Sequence, residues 1–314
     1  MSDIDILVSE VGPRDGLQSI DRVLPTAIKI DWIRAQAAAG CREIEVGSFV
    51  PPKLLPQMAD TAEVVAAALD IPDLTVAVLV PNLRGAENAI AAGAHKISIP
   101  FSVSETHSLK NVRKTHEQMF AEVAAIAERV NQVPADERPH FEAGLSTAFG
   151  CTLEGAISED LVVRSAERLM EAGVAEVGLS DTTGYANPEQ VRRLVRRVRD
   201  AVGKDHITGV HLHNTRGLGL ANALAAIDEG ITTVDSSLGG IGGCPFAPGA
   251  SGNIVTEDLV FMLEAMGLST GIDLEKLLEV RSILTTALPD EPLYGFIPDA
   301  GIPKGFNKGF NEAA

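Results

Sequence analysis

Two histidines, His211 and His213, stand two residues apart in the segment "ITGVHLHN". In a strand, side chains at i and i+2 share a face, so both imidazoles can be presented to one ion. A hydrogen-bonded histidine pair would use the same spacing, so the pattern needs company to point to a metal. Asp15, in "EVGPRDGLQ", offers an anionic oxygen if the two segments meet. Imidazole nitrogens with carboxylate and amide oxygens form a mixed set that suits Mg2+ or Mn2+ and leaves positions for a substrate. Residue type alone leaves zinc and ferrous iron open. Arg14 stands next to Asp15, and a fixed guanidinium beside a divalent cation can stabilise an enolate oxygen as it gains charge. The competing reading is an Arg14–Asp15 ion pair. Neighbours on a strand point to opposite faces, which favours a turn carrying both to a rim.

A third candidate sits in "GGIGGCPFAPGASGN", residues 239–253, where six glycines and two prolines surround one thiol, Cys244. Such a stretch can hold neither a regular helix nor a good strand. Its glycines supply mobility and let backbone amides approach a ligand closely. The alternative is a tight turn with an incidental thiol. Cys41 and Cys151 are read as small core residues. Of the other histidines, His116 is expected to be solvated, His95 and His140 to be structural at the far end of their strands, and His107 to approach the site at most weakly.

These groups are far apart in the chain, so the fold must gather them. Apolar or β-branched runs begin near Asp5, Arg42, Leu74, His95, His140, Ala175, Ile207 and Thr232, and amphipathic stretches separate them. One such stretch, Thr26 to Gly40, opens on a capping threonine and closes on glycine. Another, "NPEQVRRLVRRVRDAVG", carries Pro188 in its first turn. Strands alternating with helices imply parallel pairing through crossovers, and eight units at even spacing imply a closed (β/α)8 TIM barrel, an α/β fold. In that fold the active site lies at the C-terminal ends of the strands. Arg14 and Asp15 end the first strand, Glu45 and Ser48 lie on the second, Ser146 ends the fifth and Asp181 the sixth. The histidines end the seventh strand and the Cys244 loop follows the eighth. Asp181 is read either as a partner behind the site or as a cap for the next helix. Residues 1–288 are expected to form one catalytic domain, and 289–314, rich in Gly and Pro, an irregular C-terminal tail.

The composition sets outer limits. With 314 residues, 45% hydrophobic and 22% charged, the chain is globular and long enough for a large core. A formal charge of −17 disfavours nucleic acid and anionic membranes as partners, though local Arg and Lys can still bind a small anion. There is no signal-peptide pattern and no apolar run of membrane-spanning length. Three widely spaced cysteines suit reduced thiols in a cytoplasmic setting.

With these residues in hand, the chain resembles the 3-hydroxy-3-methylglutaryl-CoA lyases, within the metal-dependent barrel lyases and Claisen-type synthases. The resemblance runs from Val8 to about Leu268. It is carried by "EVGPRDGLQ", "GSFVPPKLLPQMAD", "HLHNTRGLGLAN" and "GGCPFAPGASGNIVTEDLVFML". It implies that Asp15, His211, His213 and Asn253 hold a divalent cation, Mg2+ or Mn2+. It further implies that Arg14 stabilises an enolate, that Cys244 acts from its loop, and that Glu45, Asp181 and Glu257 support the site. Gln18, Ser48, Ser146 and Arg216 are expected to contact the acyl-CoA substrate, and Lys53 and Lys110 its phosphates. A homo-oligomer is expected. The implied reaction is a retro-Claisen cleavage to acetyl-CoA and a keto acid, acetoacetate if the substrate is HMG-CoA. This chain has "HNTRG" where the lyases have HDTYG, "SFVPPKL" for SFVSPKW and "GCTLEG" for GCPYEG. Those departures bring citramalyl-CoA and longer branched 3-hydroxyglutaryl-CoA thioesters into consideration. A synthase condensing acetyl-CoA with a 2-oxo acid would share the metal site but lacks this cysteine loop. A metal-dependent hydrolase would usually carry its HxH on an early strand, and a binding protein has no need of a thiol beside a metal.

Overall fold

The computed structural model describes residues 4–242 and 252–306. Eight strands run parallel and close on themselves: β1 (Leu7–Glu10), β2 (Glu43–Ser48), β3 (Thr75–Leu79), β4 (Lys96–Ser102), β5 (His140–Ser146), β6 (Glu176–Asp181), β7 (Gly209–Leu212) and β8 (Thr233–Ser236). The β1–β8 ladder, with Leu7 opposite Thr233 and Glu10 opposite Ser236, completes the TIM barrel. The strands alternate as the sequence pattern demands. On β4, Ile97, Ile99 and Phe101 are fully buried, while Lys96, Ser98 and Pro100 between them face the barrel interior. The apolar core is therefore the shell between strands and helices, where Val78, Ile97 and Leu145 meet Trp32, Val65, Val123 and Leu194.

The helix of Thr26–Ala38 does not begin as the capping pattern suggests. Pro25 occupies the cap position and no side chain caps the helix. Proline fixes φ near the value a first turn needs, which substitutes for a hydrogen-bonding cap. In the helix Pro188–Val202, proline does take the first position, and Asn187 accepts the amide of Gln190.

The segment after Leu288 is mostly irregular, as its composition suggested, and as far as Phe306 it is tied to the barrel. Asp258 accepts the amides of Phe296 and Ile297, a single helical turn follows at Ile297–Ala300, and Phe306 stacks on Phe261 with ring centroids 5.1 Å apart. Tyr294 donates its amide to the Gly239 carbonyl at 2.8 Å, so this arm braces the start of the loop after β8.

Candidate active site

The first strand stops at Glu10, and Arg14 and Asp15 lie beyond it on a π-helical turn, Gly12–Gly16. The Val11 carbonyl accepts three successive amides there, from Arg14, Asp15 and Gly16. Such turns are rare and concentrate at functional sites, because the extra residue swings side chains out of helical register. Here the turn sends both charged side chains toward the barrel axis. Arg14 Nε lies 2.5 Å from Glu45 Oε2 and Nη1 lies 2.5 Å from Asp15 Oδ1, so the mutual ion pair that seemed geometrically unnatural does form. Gln18 donates to the same Asp15 Oδ1 at 2.6 Å. Burial opposes the charged form of Asp15. Arg14, then His211 and His213, outweigh it and hold the carboxyl at about 2.

The two histidines meet this aspartate. His211 is on β7, and His213 continues its line through a one-residue bridge to Asn253. Their Nε2 atoms are 3.1 Å apart, and His211 Nε2 is 3.9 Å from Asp15 Oδ2. Asn253 donates from Nδ2 to Asp15 Oδ2 at 2.8 Å and to the Ile241 carbonyl at 3.2 Å. Its Oδ1 is buried and, among the described residues, accepts nothing. One ligand atom each from Asp15, His211 and His213 falls within 4.8 Å of the others. Two imidazole Nε2 atoms 3.1 Å apart, a carboxylate and a buried amide oxygen that accepts nothing among the described residues fit a divalent cation well.

Asp235 sets the tautomer. Its Oδ2 is 3.0 Å from His211 Nδ1, and the two residues are register partners across β7 and β8. A carboxylate there keeps the ring proton on Nδ1 and turns the Nε2 lone pair toward the cluster. Burial lowers the affinity of His211 for a second proton, but Asp235 and Asp15 prevail and raise it above the usual imidazole range. In the Asp235→Asn variant, divalent-metal affinity is expected to fall about 10–100-fold. Mn2+ titration of wild type and variant checks this, and equal affinities would reduce Asp235 to a packing role.

Sequence reasoning passed over Glu10, which organises both loops that carry site residues. It is fully buried, accepts the amides of Gly12 (2.9 Å) and Leu238 (3.0 Å) on Oε1, and accepts the Thr256 hydroxyl (2.8 Å) on Oε2. Burial pushes its pKa up to about 7 from 4.5. Between those values the folded protein holds a proton that the unfolded chain has lost. This contribution to stability is therefore fully present below the lower value and is lost as pH rises through the upper one. A Glu10→Gln variant cannot titrate, so its deficit relative to wild type should be largest near pH 5. The deficit should shrink by up to about 3 kcal/mol by pH 8, read by urea unfolding at both pH values.

The remaining candidates separate into those at the cavity and those behind it. A cavity of about 690 Å³ opens at the C-terminal ends of the strands and is lined by Arg14, Asp15, Gln18, Glu45, Ser146, His211 and His213. His107 also lines it, with Nδ1 2.8 Å from Ser102 Oγ, and so reaches the mouth more closely than its sequence context implied. Lys110 lines the rim and Lys53 does not. Ser48 is buried and does not line this cavity, although the β2–β3 register shift between Glu45 and Gly47 sets it opposite Leu79, which does. Arg216 is exposed, donates to the carbonyls of Thr183 and Gly184, and lies over the Tyr185 ring at 4.5 Å. It clamps the turn after β6 and does not line the cavity. Asp181 accepts the amides of Tyr185 and Ala186 in that same turn, and burial raises its pKa to about 6. It shapes the backbone behind the site, while Asn187 caps the following helix. Glu257, fully buried, accepts the Gly239 amide and pairs with Arg281 at 2.7 Å.

His116 is not solvated: its Nε2 lies 2.9 Å from the Ser102 carbonyl and its ring packs on Phe101. His95 accepts the Val76 amide and His140 pairs with Glu176 at 3.3 Å, both structural as expected. Cys41 and Cys151 are buried. Cys244 lies outside the described residues. Before its loop, Gly242 is held at φ +110°, and a Cβ there would meet Asn253 Nδ2 at 2.6 Å and Asp15 Oδ2 at 3.1 Å. No helix among the described residues is long and apolar enough to cross a membrane.

Comparison with known proteins agrees with this geometry. A family model described as HMGL-like matches residues 5–284. The mitochondrial hydroxymethylglutaryl-CoA lyase of Macaca fascicularis is 41% identical over 90% of this chain and 86% of its own. The hydroxymethylglutaryl-CoA lyase of Bacillus subtilis is 42% identical over 87% of this chain and 90% of its own. The structure of an HMG-CoA lyase from Acinetobacter baumannii, in complex with coenzyme A and 3-methylmalate, superposes with a TM-score of 0.89. It is 41% identical and covers 98% of this chain and 99% of that one.

Proposed function

The chain belongs to the HMGL-like family, and from that premise we propose that it is a divalent-metal-dependent carbon–carbon lyase cleaving an acyl-CoA of the 3-hydroxy-3-methylglutaryl type. The observation that carries the reading is the convergence of Asp15, His211 and His213 beside Arg14 in one cavity. Mg2+ or Mn2+ is the cation we favour. Asp15, His211, His213 and Asn253 would hold it, a mixed nitrogen and oxygen set that suits such a cation. Such a cation supplies Lewis-acid polarisation and fixes the orientation of the oxygens it holds.

The protein's own groups account for the rest. A base takes the proton from the substrate's tertiary hydroxyl, the C2–C3 bond breaks as the C3 carbonyl forms, and the bonding pair passes to the thioester as an enolate. Arg14 is committed through Nε and Nη1 to Glu45 and Asp15, which fixes its plane, and a guanidinium has further N–H groups for the enolate oxygen. Cys244 follows Gly242 by two residues, at most ~7 Å of chain. We assign it to the protonation step that turns the enolate into acetyl-CoA. Lys110 and Arg113 at the rim suit the CoA phosphates. The A. baumannii relative is in complex with coenzyme A and 3-methylmalate, a hydroxylated dicarboxylate, which supports an acyl group of that chemistry. Incubation with HMG-CoA plus Mg2+ or Mn2+ tests the reading by acetoacetate release. Release that survives EDTA would remove the metal from the reaction.

A further inference from the structure

A (β/α)8 barrel ordinarily fills its interior with layers of branched apolar side chains. This interior is neither wholly apolar nor filled. The cavity that holds Asp15 and His211 continues below them past Ser9, Ala77 and Ser98 to Glu43, Lys96 and Glu142. Gly144 forms part of its wall and does not use a left-handed backbone, so nothing in the chain path calls for glycine there. A Cβ built on Gly144 meets no atom within 4 Å. Its ladder partner is Gly178, where the nearest atom to a Cβ is 3.5 Å away. Two facing glycines thus leave one side of the barrel open from within.

The floor of this shaft is ionic, one lysine held between two glutamates. Lys96 Nζ lies 3.1 Å from Glu43 Oε1 and 2.9 Å from Glu142 Oε2. These three residues are each two positions below Ser98, Glu45 and Gly144 on their strands, about 7 Å deeper at a strand's rise per residue. A polar void of this kind must hold water or ligand atoms that satisfy its hydrogen bonds. An apolar group would strip water from the serines and the Lys96 cluster without replacing it. An added anion would face two glutamates, and an added cation would compete with Lys96 for them. An uncharged hydroxylated group does none of these.

The carbinol carbon of a 3-hydroxyglutaryl thioester bears a hydroxyl, a thioester arm, a carboxylate arm and one further substituent. The thioester-lyase reading assigns the first three to the cation cluster and the mouth, and so leaves the fourth to point down the barrel. We propose that in the natural substrate this fourth substituent is an uncharged, hydroxylated branch longer than methyl, seated in the shaft between Gly144 and Lys96. The proposal rests on the thioester-lyase reading and specifies its substrate class.

A series of 3-hydroxyglutaryl-CoA thioesters bearing methyl, 2-hydroxyethyl, n-propyl or 2-ammonioethyl at C3, assayed with Mn2+, tests it. The 2-hydroxyethyl compound should exceed each of the others in kcat/KM by tenfold or more. Gly144→Val should lower the 2-hydroxyethyl-to-methyl ratio at least tenfold. If that variant does not fold, the wild-type ranking decides alone. A methyl compound cleaved as well as or better than the 2-hydroxyethyl one, or a valine that lowers both alike, overturns the branch assignment and leaves the lyase reading intact. Cleavage of none of the four overturns the lyase reading itself.

Discussion

Replacing Arg14 by Gln should lower kcat for thioester cleavage by about a thousandfold while leaving the divalent-metal requirement in place. One preorganised donor to a developing oxyanion contributes about 10²–10³ in turnover when it is neutral, and a cation contributes more. The guanidinium is also structural, because it neutralises Glu45 and Asp15 in a buried setting. Its removal leaves Glu45 facing Ser98 and Asp235 without a counter-ion, a defect worth about 3–5 kcal/mol of stability. Two variants separate these effects. Arg14→Lys keeps the charge but loses the planar fork, so it should recover much of the melting temperature and little of the turnover. Steady-state kinetics at saturating Mn2+ with parallel thermal unfolding gives both readouts. A lysine variant that recovers turnover as fully as stability would show that only charge at this point matters, and would remove the oriented guanidinium from the mechanism.

How legible the site was in the sequence depended on which face of a strand each residue occupied. The barrel and the meeting of Asp15 with His211 and His213 were readable because a charged residue ending an apolar strand is costly to bury unless it serves a site. Gly47 and the register shift beside it were not readable; that shift sets Ser48 opposite the cavity-lining Leu79, yet Ser48 itself does not line the cavity. Arg216 invites a substrate-contact reading by type alone. Its partners are the backbone carbonyls of Thr183 and Gly184, which leave no trace in a sequence. Glu10 and Asp235 carried the same signal as Glu45, an acid inside an apolar strand, and attention to strand ends passed over both. The polar shaft was also present in principle: Ser9, Lys96, Ser98, Glu142 and Gly144 occupy alternate positions of their strands. Alternation separates the two faces of a strand, but only closure of the sheet tells which face becomes the interior.

Asp15→Ala should lower divalent-metal affinity by at least about 100-fold, more than the loss of the outer partner Asp235, because it deletes an anionic donor and not its support. Turnover should fall with it and return only in part at high Mn2+, since Arg14 then loses one of the two carboxylates that fix its plane. The pH dependence of binding gives an independent check. Asp15 is held at about 2, so it is ionised throughout the usable range and cannot cause acid loss of the metal. His211 is raised above the ordinary imidazole range, and a protonated imidazole has no lone pair to give. In wild type, affinity should therefore be complete above the pKa of His211 and fall as pH drops through it, at a higher pH than a solvent-exposed histidine pair would show. Asp15→Ala removes one of the charges that raise His211, so its weaker binding should persist to lower pH before it too declines. Isothermal titration with Mn2+ between pH 5.5 and pH 8.5 (a range set by the usual imidazole value, ~6.5) reads both effects. An Asp15→Ala protein that keeps wild-type affinity would place the cation elsewhere, and the alignment of Arg14 with it would lose its chemical meaning.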